Sequence, residues 1–141
     1  MSNKVIALRG ISNVGKSKTI GKVYELLISK YPHHQKEHDR QLMDISVIII
    51  INGVRIGIEG QGDPSGRLDE SLSLFVKERC KVIICATRTR GQTVAAVTNM
   101  TKHNFEVIWF EQVASVSSKH DASNLAMAKL IIEEAEKYFN T

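Results

Sequence analysis

The sequence predicts an α/β domain with a mostly parallel sheet, one antiparallel hairpin strand and helices on both faces. Three observations support this prediction. Short runs of β-branched residues alternate with stretches whose apolar residues recur at helical spacing. Asn52-Gly53 separates two such runs, and this dipeptide is typical of a two-residue hairpin turn. No repeat, low-complexity tract or linker interrupts residues 1–141, so we expect a single domain.

The first half of the chain begins with a short branched run, Val5–Leu8, which predicts a buried strand that ends at a glycine. A helix follows, with Ile20, Val23, Tyr24 and Leu27 on one face. Residues 29–44 are polar and lack periodicity, which predicts a surface connection. The hairpin then predicts antiparallel strands at 46–51 and 54–59.

The second half continues the alternation of helices and strands. A helical stripe comes first, formed by Leu68, Leu72, Phe75 and Val76. The run "KVIICA" predicts a buried strand, residues 93–102 a helix, and "FEVIWF" the last strand. We expect the final helix to begin near Asp121, with an apolar stripe of Leu125, Ala128, Ile132, Ala135 and Phe139.

The composition fits an ordinary soluble domain, with 43% hydrophobic and 24% charged residues. No run approaches the roughly 18 consecutive apolar residues of a membrane span. We therefore expect a cytoplasmic protein that does not bind membranes. The net charge of +4 permits a phosphorylated partner, although such an excess is common on protein surfaces.

Residues 10–17, "GISNVGKS", match the phosphate-binding pattern G-x-x-x-x-G-K-S and lie between a predicted strand and a predicted helix. In this pattern backbone N–H groups surround an anion at a helix N-terminus. Lys16 is expected to reach the β- and γ-phosphates, and the Ser17 hydroxyl to coordinate Mg²⁺. The alternative is an ordinary strand-to-helix turn. The predicted nucleotide contacts are Gly10, Ile11, Ser12, Asn13, Val14, Gly15, Lys16, Ser17 and Lys18.

With this motif the chain resembles the P-loop NTPase superfamily, and its small size and layout are most similar to the nucleoside- and nucleotide-kinase-like members. The specific match covers residues 4–29. The resemblance implies a single-domain P-loop three-layer sandwich that binds ATP or GTP with Mg²⁺. It also implies hydrolysis or phosphoryl transfer, without specifying the acceptor.

A carboxylate near a strand end is expected to complete the Mg²⁺ site. Two candidates are present, Glu59 at the end of "VRIGIE" and Asp63 in "GQGDPSG". We favour Asp63 as the Mg²⁺ partner, with Glu59 as a supporting group or a base that orients water. The alternative for Asp63 is a helix N-cap in front of Pro64.

The segment "ATRTRGQT" follows a predicted strand and should lie at the carboxyl edge of the sheet, where ligands bind. Arg88 and Arg90 are candidates for contacting the transferred phosphoryl group or a phosphorylated small-molecule acceptor, because guanidinium groups match phosphate oxygens. The alternative is a solvated basic loop.

Histidines and cysteines are not expected to form a functional site. His33, His34 and His38 lie in a polar segment, and their spacing matches no zinc pattern. Cys80 and Cys85 lie in or beside an apolar run, which favours two reduced, largely buried thiols.

Three functions are compatible with these patterns. The preferred one is an ATP-binding, kinase-like enzyme that transfers a phosphoryl group to an acceptor or to water. A GTPase-like switch is suggested by D-x-x-G at 63–66, but the guanine-reading N/T-K-x-D pattern is absent after the last predicted strand. The third is a nucleotide-gated module whose loops bind a nucleic acid or a protein; it ranks lower because no nucleic-acid motif is present.

Overall fold

The computed structural model describes residues 3–10, 15–40, 44–61, 66–112 and 120–139, without the side chains of residues 120 and 121. These residues form six strands, four α-helices and one 3₁₀ helix. In chain order they are β1 (Asn3–Arg9), α1 (Lys16–Lys30), β2 (Gln35–Glu37), β3 (Ser46–Ile51), β4 (Val54–Glu59), α2 (Leu68–Lys77), β5 (Val82–Thr87), α3 (Gln92–Thr98), the 3₁₀ helix (Asn99–His103), β6 (Phe105–Glu111) and α4 (His120–Phe139).

The six strands form one mixed sheet in the order β2-β3-β4-β5-β1-β6. The pairs β4–β5, β5–β1 and β1–β6 are parallel, whereas β2–β3 and β3–β4 are antiparallel. The predicted α/β class and mostly parallel sheet are therefore confirmed. Because β3 runs opposite to β4, the start of β3 lies at the same edge of the sheet as the end of β4.

The hairpin between β3 and β4 forms as the sequence predicts. Asn52 and Gly53 have φ values of 53° and 78°, which the two central positions of this turn require. The register pairs Ile51 with Val54 and Ser46 with Glu59. The Asn52 side chain also donates a hydrogen bond of 3.1 Å to the carbonyl of Phe139, and so joins the turn to the end of α4.

Helices cover both faces of the sheet and bury two separate apolar clusters. One cluster joins α1 and α4 to one face, with Ile20, Leu27 and Ile131 fully buried. The other joins α2, α3 and the 3₁₀ helix to the opposite face, and includes Phe75 and Val97. The central strands β1, β3, β4 and β5 are largely buried on both sides, which explains why they appear in the sequence as continuous branched runs.

Three predictions of secondary structure need correction. The segment predicted as a surface connection contains β2, which pairs antiparallel with β3 and forms the edge of the sheet. Among the described strands β3 alone runs opposite to the others, as predicted, but it lies inside the sheet. The helix predicted at 93–102 is the α-helix α3 followed by a 3₁₀ helix. In α4, Leu125 is 37% exposed, while Asn124, one position earlier, is buried together with four members of the predicted stripe.

Candidate functional site

Four parallel strands end at one edge of the sheet, next to the start of α1. The register places Arg9, at the end of β1, between Thr87 of β5 and Glu111 of β6. On the other side of β5, Glu59 of β4 pairs with Cys85. Ligands of open α/β sheets bind in the crevice outside the carboxyl ends of the strands. This edge is therefore where a binding site is expected.

Lys16 lies at this edge and is tied to two main-chain carbonyls. Its Nζ donates to the carbonyl of Gly10 at 2.5 Å and to that of Thr87 at 2.7 Å. The Gly10 N–H donates to the same Thr87 carbonyl at 3.1 Å. Lys16 is only 7% exposed, so its ammonium group is fixed between the ends of β1 and β5 rather than solvated.

The start of α1 has an unusual concentration of positive charge. Gly15 is the N-cap residue with φ 91°, and as a glycine it has no side chain that could cap the helix. The first turn contains no acidic residue, although it carries Lys16 and Lys18. Helix N-termini carry a partial positive charge and normally favour acidic residues. In α2, by contrast, Asp69 and Glu70 occupy the first turn. The first turn of α1 therefore suits an external anion.

Gly15 is also constrained by a buried polar group that the sequence did not reveal. A Cβ atom at Gly15 would lie 2.7 Å from Oδ1 of Asn124 in α4. That oxygen accepts hydrogen bonds from Gln112 Nε2 at 2.7 Å and from Thr19 Oγ1 at 3.1 Å. The three polar residues connect the first turn of α1 and the N-terminal part of α4 to the end of β6. Both the positive φ and the Asn124 side chain therefore require glycine at position 15.

Ser17 faces a carboxylate that the sequence analysis did not select. Its hydroxyl donates a hydrogen bond to Oδ1 of Asp44, two residues before β3. The antiparallel hairpin causes this contact, because it brings the start of β3 to the edge where β4 ends. The Asn52-Gly53 turn could have revealed Asp44 as a candidate. The predicted Mg²⁺ partner, Asp63, lies outside the described residues.

Glu59 is completely buried, and its carboxylate accepts three hydrogen bonds and forms an ion pair with Arg67. Ser71 Oγ donates to Oε1 at 2.6 Å, and the Gln61 N–H donates to Oε2 at 2.9 Å. Arg67 Nε donates to Oε1 at 3.1 Å, and Arg67 Nη2 forms an ion pair with Oε2 at 2.9 Å. Since both oxygens have partners within the protein, this carboxylate is arranged as a supporting group rather than as a base facing water.

Arg67 connects three pieces of chain around this carboxylate. In addition to its pair with Glu59, its Nη2 donates to the main-chain carbonyl of Asp44 at 2.8 Å. Its Nη1 and its backbone N–H donate to Oε1 of Gln61 at 3.3 and 3.2 Å. The guanidinium therefore fixes the end of β4 to the segment that presents Asp44 to Ser17.

The arginines predicted to contact phosphate follow directly from the end of β5. The backbone N–H of Arg88 donates to Thr93 Oγ1 at 2.9 Å, which ties this turn to the first part of α3. The side chain of Arg88 is half-buried and that of Arg90 is exposed. Because Arg88 adjoins Thr87, whose carbonyl accepts from Lys16, the arginine turn lies beside the start of α1.

The predicted cysteines and histidines lie in other surroundings. Both Cys80 and Cys85 are buried free thiols, and burial raises the pKa of each to about 12, so neither is a thiolate at neutral pH. His38 Nε2 lies 2.7 Å from Glu78, and His33 Nε2 lies 3.3 Å from Asn52. Among the described residues, no group of three or more His, Cys, Asp or Glu side chains is arranged to hold a metal ion.

Residues 11–14 of the predicted nucleotide loop lie outside the described residues, so the observed part of the motif is Gly10 and Gly15–Lys18. Comparisons with family models, with curated proteins and with solved structures return no match to this chain. Within the described part of the chain, no helix is long and apolar enough to cross a membrane.

Proposed function

We propose that the chain binds a nucleoside triphosphate, preferentially ATP, with Mg²⁺ at residues 10–18. In this proposal the fold is a P-loop three-layer sandwich, and the reaction is kinase-like phosphoryl transfer or hydrolysis. The observation that carries the proposal is the position of Lys16. Its ammonium group lies between the carbonyls of Gly10 and Thr87, at the carboxyl edge of two parallel strands.

The charge distribution around α1 supports an anionic ligand. A helix start with a glycine N-cap, two lysines and no acidic residue in its first turn is electrostatically unfavourable by itself. A polyphosphate relieves this, because its oxygens accept hydrogen bonds at a helix N-terminus and offset the lysine charge. Lys16 then exchanges part of its contact with the two carbonyls for contact with the β- and γ-phosphates.

The remaining residues of the proposal have distinct roles. Ser17 contributes to holding Mg²⁺ together with a carboxylate, for which the sequence pattern favours Asp63, and Glu59 supports the end of β4 through its buried hydrogen bonds. Arg88 and Arg90 contact the transferred phosphoryl group or a phosphorylated small-molecule acceptor. Their place beside Thr87 supports this role, because the Thr87 carbonyl already contacts the Lys16 ammonium group.

Calorimetric titration of ATP and of GTP in the presence of Mg²⁺ tests the nucleotide site. Lys16→Met is the informative variant, because it keeps the buried aliphatic stem and removes the charge. We expect it to weaken ATP binding by at least about tenfold, since a hydrogen bond to a charged group is worth about 1.5–3 kcal/mol. Lys18→Ala is the matched control on the exposed side of the same turn and should have a smaller effect.

A thermal unfolding curve must accompany each titration, because Lys16→Met leaves two carbonyls without their donor. If folded wild-type protein binds neither nucleotide, the proposal is wrong. Tighter binding of GTP than of ATP would favour the GTPase-like alternative. A phosphate-release assay with and without candidate acceptors then separates hydrolysis from transfer.

A further inference from the structure

Two described carboxylates, those of Asp44 and Glu59, are candidates for binding a cation beside Ser17, and their contacts distinguish them. The hydroxyl of Ser17 is in hydrogen-bond contact with Asp44. Glu59 ends the neighbouring strand, but its two oxygens accept from Gln61, Arg67 and Ser71. To reach a cation, Glu59 would have to leave a fully buried set of donors. Asp44 needs no such rearrangement.

We infer that Asp44 is the carboxylate that binds the Mg²⁺ accompanying the nucleotide, and that Arg67 positions it through the Asp44 main-chain carbonyl. This inference rests on the proposed nucleotide-binding function. It assigns the metal ligand to the segment before β3, whereas the sequence pattern had pointed to the loop after β4.

The oxygens of Ser17 and Asp44 suit magnesium chemically. Mg²⁺ prefers oxygen ligands and is usually held by one or two carboxylates together with substrate phosphates and water. Asp44 and Ser17 would therefore hold the ion together, as a carboxylate and a hydroxyl oxygen that already lie in contact. The Ser17 oxygen has lone pairs for the metal, while its O–H group continues to donate its hydrogen bond to Asp44.

Arg67 explains why Asp44 stays at this position. Its Nη2 donates 2.8 Å to the Asp44 carbonyl, and the same guanidinium is anchored by the buried Glu59 carboxylate. The contact is to the main chain, so the Asp44 carboxylate remains available to face Ser17. Lysine cannot reproduce this arrangement, because its single ammonium group lacks the planar fork that reaches Glu59 and Asp44 together.

The experiment compares ATP affinity in excess Mg²⁺ with ATP affinity in EDTA, both by calorimetry, so the readout is binding rather than turnover. The dissociation constant in EDTA divided by the dissociation constant in Mg²⁺ measures how much the metal contributes to ATP binding. We expect Asp44→Asn to reduce this ratio by about tenfold or more. Binding in EDTA should be unchanged or tighter, because a negative charge near the phosphates is removed. Arg67→Lys should reduce the ratio in the same direction but by less.

Two further carboxylate variants make the comparison specific. Asp69→Asn removes an exposed carboxylate from the first turn of α2 and should leave the ratio unchanged. Asp63→Asn tests the competing ligand directly, and we expect a smaller effect than for Asp44→Asn. If Asp44→Asn does not fold, as judged by thermal unfolding, Asp44→Ser provides the same comparison with a smaller side chain.

The outcomes separate this inference from the function on which it rests. Wild-type protein that binds no nucleotide in either condition contradicts the proposed function and the inference with it. Metal-dependent binding that Asp44→Asn leaves intact contradicts only the inference, and loss of the metal effect in Asp63→Asn alone would reassign the ligand to Asp63. Loss of the metal effect in Asp44→Asn, with EDTA affinity retained, supports the assignment.

Discussion

Replacing Glu59 by glutamine tests whether this buried carboxylate holds the site together or acts as a base. The change keeps the shape of the side chain but removes its charge and converts one oxygen into an N–H donor. In the wild type Oε1 accepts from Ser71 and Arg67, while Oε2 accepts from the Gln61 N–H and forms an ion pair with Arg67. The Ser71 hydroxyl can rotate to accept from the new amide, but Arg67 Nε would then face a donor. At least one guanidinium N–H therefore loses its partner, and Arg67 loses its counter-charge.

The expected loss of stability follows from the burial of this pair. Removing one partner of a buried ion pair costs about 3–5 kcal/mol, because the other charge is left uncompensated. The Arg67 side chain retains 18% exposure, whereas Glu59 has none. Water can reach part of the guanidinium, so we expect about 2–4 kcal/mol for Glu59→Gln. For a chain of this size that corresponds to a fall in Tm of about 6–12 °C.

Thermal and urea unfolding measure this loss, and two variants serve as controls. Ser71→Ala removes one donor from Glu59 without leaving a charge unpaired and should cost about 1–2 kcal/mol. The double variant Glu59→Gln, Arg67→Met should be less destabilised than the sum of its single changes, because no unpaired charge remains. A wild-type unfolding temperature for Glu59→Gln, together with loss of turnover, would refute this reasoning and favour Glu59 as the base that orients water.

Two further predictions concern the core and the surface of the same fold. In Gly57→Ala the new Cβ would lie 2.5 Å from the ring of Phe75, so we expect a loss of about 1–3 kcal/mol in urea unfolding. Gly21→Ala, in open space inside α1, should instead be neutral or stabilising; equal effects would contradict this packing argument. Burial and the hydrogen bond to Glu136 raise the Tyr31 pKa from 10.0 to about 12, so its stabilising effect is complete below pH 10 and is lost as pH rises through 12. In an alkaline absorbance titration, we expect Tyr31→Phe to lose a phenolate signal that appears well above pH 10 in the wild type. If all tyrosines of the wild type are ionised near pH 10, the prediction is wrong.

The sequence was sufficient to predict the elements that carry a local signal. Branched runs identified the buried strands, and Asn52-Gly53 located the hairpin because its backbone conformation depends on those two residues. Strand β2 carries no such signal, since it consists of three polar residues at the sheet edge. β2 is held in place by its pairing with β3, and a pairing between separate segments leaves no pattern in the local sequence.

The candidate site was predictable only where the residues are close in sequence. Gly15, Lys16 and Ser17 were found because one motif contains them. Asp44 and Asn124 reach the same place from distant parts of the chain, through the antiparallel direction of β3 and the packing of α4 on α1. Helical periodicity favoured Leu125 over Asn124, because it registers apolar residues and cannot show that the facing surface of α1 is polar.

Three features that are unfavourable for the stability of the fold lie close together at the start of α1. The first turn carries two lysines without an acid, and a lysine side chain is buried there on main-chain carbonyls. Beside them, among the described residues, Nδ2 of Asn124 is buried without a hydrogen-bond partner, which costs about 1–3 kcal/mol. The first turn of α2 follows the usual rule instead, with Asp69 and Glu70 at its positive end. Proteins break such rules mainly at functional sites, so their coincidence around the start of α1 is an argument for ligand binding that does not depend on the sequence motif.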